Sequence, residues 1–201
     1  MPNSPVPIHN NLEVLRRFGD TPSKMHTFLS PDRTQQYTRS LEIRTAKEAY
    51  LKGAISLARL KKVYGFESVR MLLALWVNNL AEYSGSTVHQ SSEAFYEVAE
   101  LMYEKSYFLG MSEVSLFFIR CKRGEYGTFF GRFDPMKFLS WVDEYLEDRR
   151  CAIAKIRQDK ERARRDAAYN GTTSARNHHR ARGVSELINQ MLPPPNINND
   201  G

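Results

Sequence analysis

The chain has 201 residues, 41% of them hydrophobic and 26% charged, with a formal net charge of +6 at pH 7. That composition fits one globular domain, or one domain with a tail, and excludes a wholly disordered chain. No apolar run approaches the roughly 18 residues of a membrane helix, so no membrane partner is expected. The polar, proline-bearing Met1–Asn10 is unlike a secretory signal. Two cysteines, Cys121 and Cys151, cannot build a disulfide framework, which makes a reducing cytoplasm the expected setting. The charge is concentrated. Residues 1–148 are neutral, and residues 149–182 carry 11 Lys/Arg against 3 Asp/Glu, a net +8.

In chain order, residues 1–40 are rich in Pro, Ser, Thr and Asn and read as a flexible arm, with one short apolar turn at Leu12–Leu15 and Phe18. A helical body is expected over 41–157. Its first helix starts at Thr45, where Thr45-Ala-Lys-Glu48 is a capping box, and runs through Ala49, Leu51, Ala54, Ile55, Ala58 and Val63 to a stop at Gly65. A second covers about 67–83. Its apolar residues Val69, Leu72, Leu73, Leu75, Trp76, Val77 and Leu80 surround most of it and predict a central, buried helix. A third follows the Ser91-Ser92 cap, and a fourth, capped by Ser112, covers 113–123.

The segment 124–135 sets three glycines among four aromatics and predicts a short hairpin or ordered loop with positive φ at the glycines. Asp134-Pro135 then starts a long helix with no breaker until Asn170-Gly171. Its first half is amphipathic. Beyond Ile156 the apolar stripe ends and basic residues take over, so residues 158–182 read as a basic helical extension and linker. Residues 170–201 are expected to be disordered. One island stands in the 183–201 tail: Val184, Leu187, Ile188, Met191 and Leu192 give an apolar helical face over 184–192, a layout suited to gripping a protein partner.

Catalytic and metal chemistry is not legible. None of the five histidines stands at ligand spacing from a cysteine, no Gly-Lys-Ser/Thr follows the glycines, and Asp143, Glu144, Glu147 and Asp148 read as a solvated helix face. The chain is therefore expected to be a non-enzymatic binding protein with no cofactor and no metal. Two basic groups are candidates for nucleic acid. One is Arg149, Arg150, Arg157, Lys160, Arg162, Arg164 and Arg165 on the long helix. The other is Arg123, Tyr126 and Arg132 beside the Gly/aromatic loop, where cations next to rings could hold a strand and stack its bases. Against the second group stands a simpler role, in which Phe129, Phe130 and Phe133 pack the loop onto the body.

Over residues 100–150, Met111-Ser-Glu-Val-Ser-Leu-Phe-Phe118, Lys122-Arg-Gly-Glu-Tyr-Gly127, Gly131-Arg-Phe-Asp-Pro135 and Tyr145-Leu-Glu-Asp-Arg149 carry a resemblance. The segment resembles an uncharacterised family of small proteins from phages and mobile elements of Bacteroides-type bacteria, which implies no known activity and no active-site residues. More loosely, a small helical body with an interacting tail is similar to phage helicase loaders. The expected fold is all-α: an irregular multi-helix bundle with a Gly/aromatic hairpin or loop, a long basic C-terminal helix and a disordered tail. The expected function is an adaptor in phage- or plasmid-type DNA replication, binding a protein partner such as a replicative helicase, and nucleic acid. Two alternatives stay open: a DNA-binding regulator that uses helix 113–123 and the following hairpin in the manner of a winged helix, and a host-takeover or structural interaction protein with no nucleic-acid role.

Overall fold

The computed structural model describes residues 11–85, 91–129 and 132–191, with side chains described as far as Tyr169. Among these residues the regular structure is helical: α1 Asn11–Phe18, α2 Pro22–Phe28, α3 Pro31–Ser40, α4 Ala46–Leu51, α5 Leu57–Tyr64, α6 Phe66–Tyr83, α7 Ser92–Ser106, α8 Met111–Lys122 and α9 Pro135–Met191. The chain divides into two units, Met1–Ala154 and Lys155–Gly201. The all-α expectation holds.

Residues 11–40 are not an arm. Thr21 caps α2 by accepting the Lys24 N–H, and proline occupies the first turn of both α2 and α3. Val14 and Met25 are fully buried, and Phe18 and Leu29 nearly so. Trp76 Nε1 donates to the Leu29 carbonyl at 3.0 Å, and the buried Thr38 Oγ1 lies 2.7 Å from Ser115 Oγ. The segment looked like an arm because much of what α3 buries is polar: Thr34, Gln35 and Thr38. Residues 1–10 of the expected arm lie outside the described residues.

The helix expected from Thr45 to Gly65 is two helices. The capping box is present: Thr45 Oγ1 accepts from Glu48 N, and Glu48 Oε2 accepts from Thr45 N at 3.0 Å and Arg44 N at 2.8 Å. Those backbone N–H groups hold the Glu48 carboxyl below its usual range. Gly53, with φ of 62°, ends the first helix soon after Leu51. The chain then runs extended beside Leu109–Met111, with Met111 N donating to Ile55 O at 2.9 Å and Leu57 N to Leu109 O at 3.0 Å. Ser56 caps the second helix through Arg59 N. Gly110 permits this approach, since a Cβ there would sit 2.9 Å from the Ala54 carbonyl oxygen.

The central helix is α8, with ten of its 12 residues buried. α6 is the expected helix, but it keeps an outer face, with Met71 43% and Leu75 44% exposed. α8 packs against α3, α4 and α6. Phe118 meets Trp76 at 5.1 Å between ring centroids and Phe138 at 5.8 Å, while Phe117 meets Phe138 at 5.7 Å and Tyr145 at 5.6 Å. Ser112 is not its cap. The helix begins one residue earlier, and Ser112 Oγ donates to the Ala49 carbonyl at 2.8 Å instead.

Segment 124–134 has no strand among its described residues, so the loop alternative holds and the hairpin does not. Gly124 and Gly127 have φ of 73° and 110°, as the glycine spacing predicts. Phe129 stacks on Trp141 at 4.4 Å and Phe133 is 1% exposed, so these aromatics pack inward; Phe130 and Gly131 lie outside the described residues. Asp134 Oδ1 accepts from Met136 N at 2.9 Å and Lys137 N at 3.1 Å, and α9 starts where Asp134-Pro135 predicts. Its helical backbone passes through Asn170-Gly171 and reaches Met191, enclosing Val184–Met191 of the expected tail helix. Leu192 and residues 193–201 lie outside the described residues.

Deleting residues 1–40 should abolish cooperative unfolding, because it strips partners from Trp76 and Ser115. Trp76→Ala in the full chain should cost about 3–5 kcal/mol, the usual range for emptying a fully buried aromatic site, measurable by urea denaturation.

Candidate nucleic-acid interface

The basic residues singled out by sequence fall into two physical groups. Arg149 belongs to the core. Its Nε donates to Glu113 Oε1 at 2.6 Å, and its side chain is 15% exposed against 5% for Glu113. The guanidinium lies 5.2 Å from the Tyr50 ring centroid and 4.9 Å from that of Phe108. Glu113 Oε2 also accepts the Gly110 N–H at 2.9 Å. This arginine neutralises a buried carboxylate and is not presented to a ligand.

In the loop group, Tyr126 is structural. Tyr126 packs on Phe117 and Trp141. Burial pushes its hydroxyl up to about 12, with the neighbouring Arg120 guanidinium pulling the other way. Arg120 is 13% exposed and pairs with Asp148 at 2.9 Å and Glu125 at 3.3 Å. Lys122 Nζ donates to Asn79 Oδ1 at 2.6 Å and to Gln35 Oε1 at 3.3 Å. Arg123 and Arg132 are exposed. The winged-helix geometry is not available: α8 is packed around its whole circumference, so it has no free face to lay in a groove.

Arg150 is exposed and pairs with Glu147 one turn earlier. In the second unit, Arg157, Lys160, Arg162, Arg164 and Arg165 are all exposed on α9. Lys155 is exposed with them, and sequence reasoning passed over it although it lies in the same charge run. At 3.6 residues per turn these cations divide between two faces. Lys155, Arg162 and Arg165 share a face with Asp159 and Asp166, and Arg165 pairs with Glu161 at 3.5 Å. Arg157, Lys160 and Arg164, at i, i+3 and i+7, share a second face, bordered by Glu161 one turn from Arg157 and Arg164. It spans roughly 10 Å of helix axis, over which duplex DNA carries about six phosphate charges.

Among the described residues, no group of three His, Cys, Asp or Glu side chains is placed to hold a metal ion. Among the same residues, no helix is long and apolar enough to cross a membrane. Side chains of Val184, Leu187, Ile188 and Met191 lie outside the described residues, as do those of His178 and His179.

Residues 92–181 are similar to a family of unknown function (DUF6633). The matched stretch holds α7, α8, the Gly/aromatic loop and α9 as far as Ala181, so it includes the Glu113–Arg149 pair and the face of Arg157, Lys160 and Arg164. No curated protein and no solved structure matches the chain.

Arg149→Met should destabilise the protein by about 3 kcal/mol, because Glu113 would be left buried without its cation. Arg157→Gln and Arg164→Gln should leave the urea midpoint unchanged. A separate expectation follows from Tyr126. Its folded-state value is raised, so the stabilisation it carries is complete below about pH 10 and is lost as pH rises through about 12. Tyr126→Phe should flatten that alkaline decline.

Proposed function

We propose that this protein is a non-enzymatic adaptor that binds nucleic acid, without base preference, through the cationic part of α9. The single observation that carries this reading is the exposed set of Arg157, Lys160 and Arg164 on one helical face, inside a stretch of net +8 appended to a neutral body. A row of cations with no base-reading partner gives affinity driven by counterion release rather than sequence discrimination. The last part of α9 would be the protein-binding element: Val184, Leu187, Ile188 and Met191 keep i, i+3, i+4, i+7 spacing on a helical backbone. Such a segment suits docking into an apolar groove of a partner. In the setting that the resemblance over residues 100–150 implies, a phage or mobile element, that partner would be a component of the replication machinery such as a helicase.

Fluorescence anisotropy with unrelated duplex and single-stranded oligonucleotides over a salt series is the test. Affinity should be similar across sequences and fall steeply with salt. Replacing Arg157, Lys160 and Arg164 by Gln together should reduce the slope of log K against log salt by about 3, or somewhat less for single strands. No binding at low salt, or an unchanged slope in the triple variant, would refute the reading. Leu187→Asp should abolish partner capture while leaving nucleic-acid affinity intact.

A further inference from the structure

A groove of about 480 Å³ opens between α1, α2, α3 and the turn that follows α4. That volume is in the range of small-molecule sites, roughly 300–1,000 Å³. Its floor is largely apolar, with Phe18, Leu29, Ile43 and Ile55 all less than one-tenth exposed. Its charged lining is of one sign: Arg17, Arg33 and Lys52, with no acidic residue among the described residues that line it. Arg33 is not free to wander, because its guanidinium lies 4.6 Å from the centroid of Phe28, itself part of the lining. Arg17 lies 5.4 Å from the Phe18 ring.

The second observation is a polar atom without a partner. Thr34 lines the groove and is 9% exposed, and its Oγ1 is buried with no hydrogen-bond partner. The other Ser and Thr hydroxyls of the lining have partners: Thr38 Oγ1 has the Thr34 carbonyl and Ser115 Oγ, and Ser112 Oγ has the Ala49 carbonyl. A cavity that served packing alone would be better lined by valine at this position, since a buried hydroxyl without a partner opposes folding. An apolar floor rimmed by three cations, with a threonine in its wall, matches a ligand with an apolar body and an anionic head.

We propose that this groove binds a small amphipathic carboxylate. The aliphatic or aromatic body would lie over Ile43, Ile55 and Leu29. The carboxylate would take charge-assisted hydrogen bonds from the Arg and Lys side chains of the rim, for which the planar guanidinium fork is suited, together with the Thr34 hydroxyl. A neutral molecule of the same shape would satisfy the floor but not the rim, so the head group sets the selectivity. The site lies wholly within the first unit and is independent of the nucleic-acid reading.

Octanoate and octanol make the matched pair of probes, titrated into the full-length protein by calorimetry and followed by thermal shift. Octanoate should bind and raise the melting temperature, and octanol should bind about tenfold more weakly for want of the charged head. The double variant R33Q/K52Q changes two exposed side chains. It should fold with the native melting temperature and lose most of the preference for the acid over the alcohol. T34V should keep octanol affinity and lose part of the preference for the acid. Absence of octanoate binding would overturn the proposal. So would undiminished octanoate preference in R33Q/K52Q, which would place the anion elsewhere on the protein.

Discussion

A carboxylate lies in the middle of this fold, and the surrounding helices are arranged around its charge. Glu113 stands in the first turn of α8, 5% exposed. Unpaired, a charge so placed would oppose folding by several kcal/mol. It is satisfied from two directions, by the Gly110 N–H one turn behind it and by the Arg149 guanidinium from α9. Arg149 in turn is flanked by Tyr50 of α4 and Phe108 of the link before α8. One ionic contact thus ties the start of the central helix to α4 and to the long helix. The Gly110 backbone that donates to it is the same backbone that runs beside Ala54–Ser56. The position of each of these pieces depends on the others.

That contact also separates two kinds of arginine that look alike in sequence. Arg149 and Arg150 are adjacent, yet the first neutralises a buried acid and the second is in solvent with a one-turn partner. Arg120 and Lys122 likewise hold loops and helices together through carboxylate and amide oxygens. A count of basic residues therefore overstates the cationic surface of the first unit. The cations of residues 157–165 are different: the carboxylates beside them, Asp159, Glu161 and Asp166, are all exposed.

Local signals in the sequence translated well into structure. The Thr45–Glu48 capping box, the Ser91 cap, the Asp134-Pro135 start and the left-handed glycines of the loop each depend on residues a few positions apart. Signals that depend on distant partners did not. The three helices within residues 11–40 were hidden because α3 buries Thr and Gln, whose burial makes sense only once Ser115 and Lys122 are seen opposite. With those helices went the groove, since Arg17, Arg33 and Thr34 had no apparent framework. The break after Leu51 was hidden because apolar spacing continues through it, and its cause is a backbone pairing with residues more than fifty positions away. The exposed cations of α9 were legible for the opposite reason: a helix with nothing apolar to bury needs no distant partner to be read.

The pairing of α3 with α8 has a consequence for how the chain is made. Thr38 meets Ser115 across 77 positions, and Trp76 reaches back 47 to Leu29. On a ribosome adding roughly 5–20 residues per second, α3 leaves the exit tunnel several seconds before α8 exists to cover it. During that interval Thr38 has no Ser115 to meet, and the buried face of α3 has no partner. Synthesis order and packing order run against each other here, and the packing of α3 must wait for the far half of the chain.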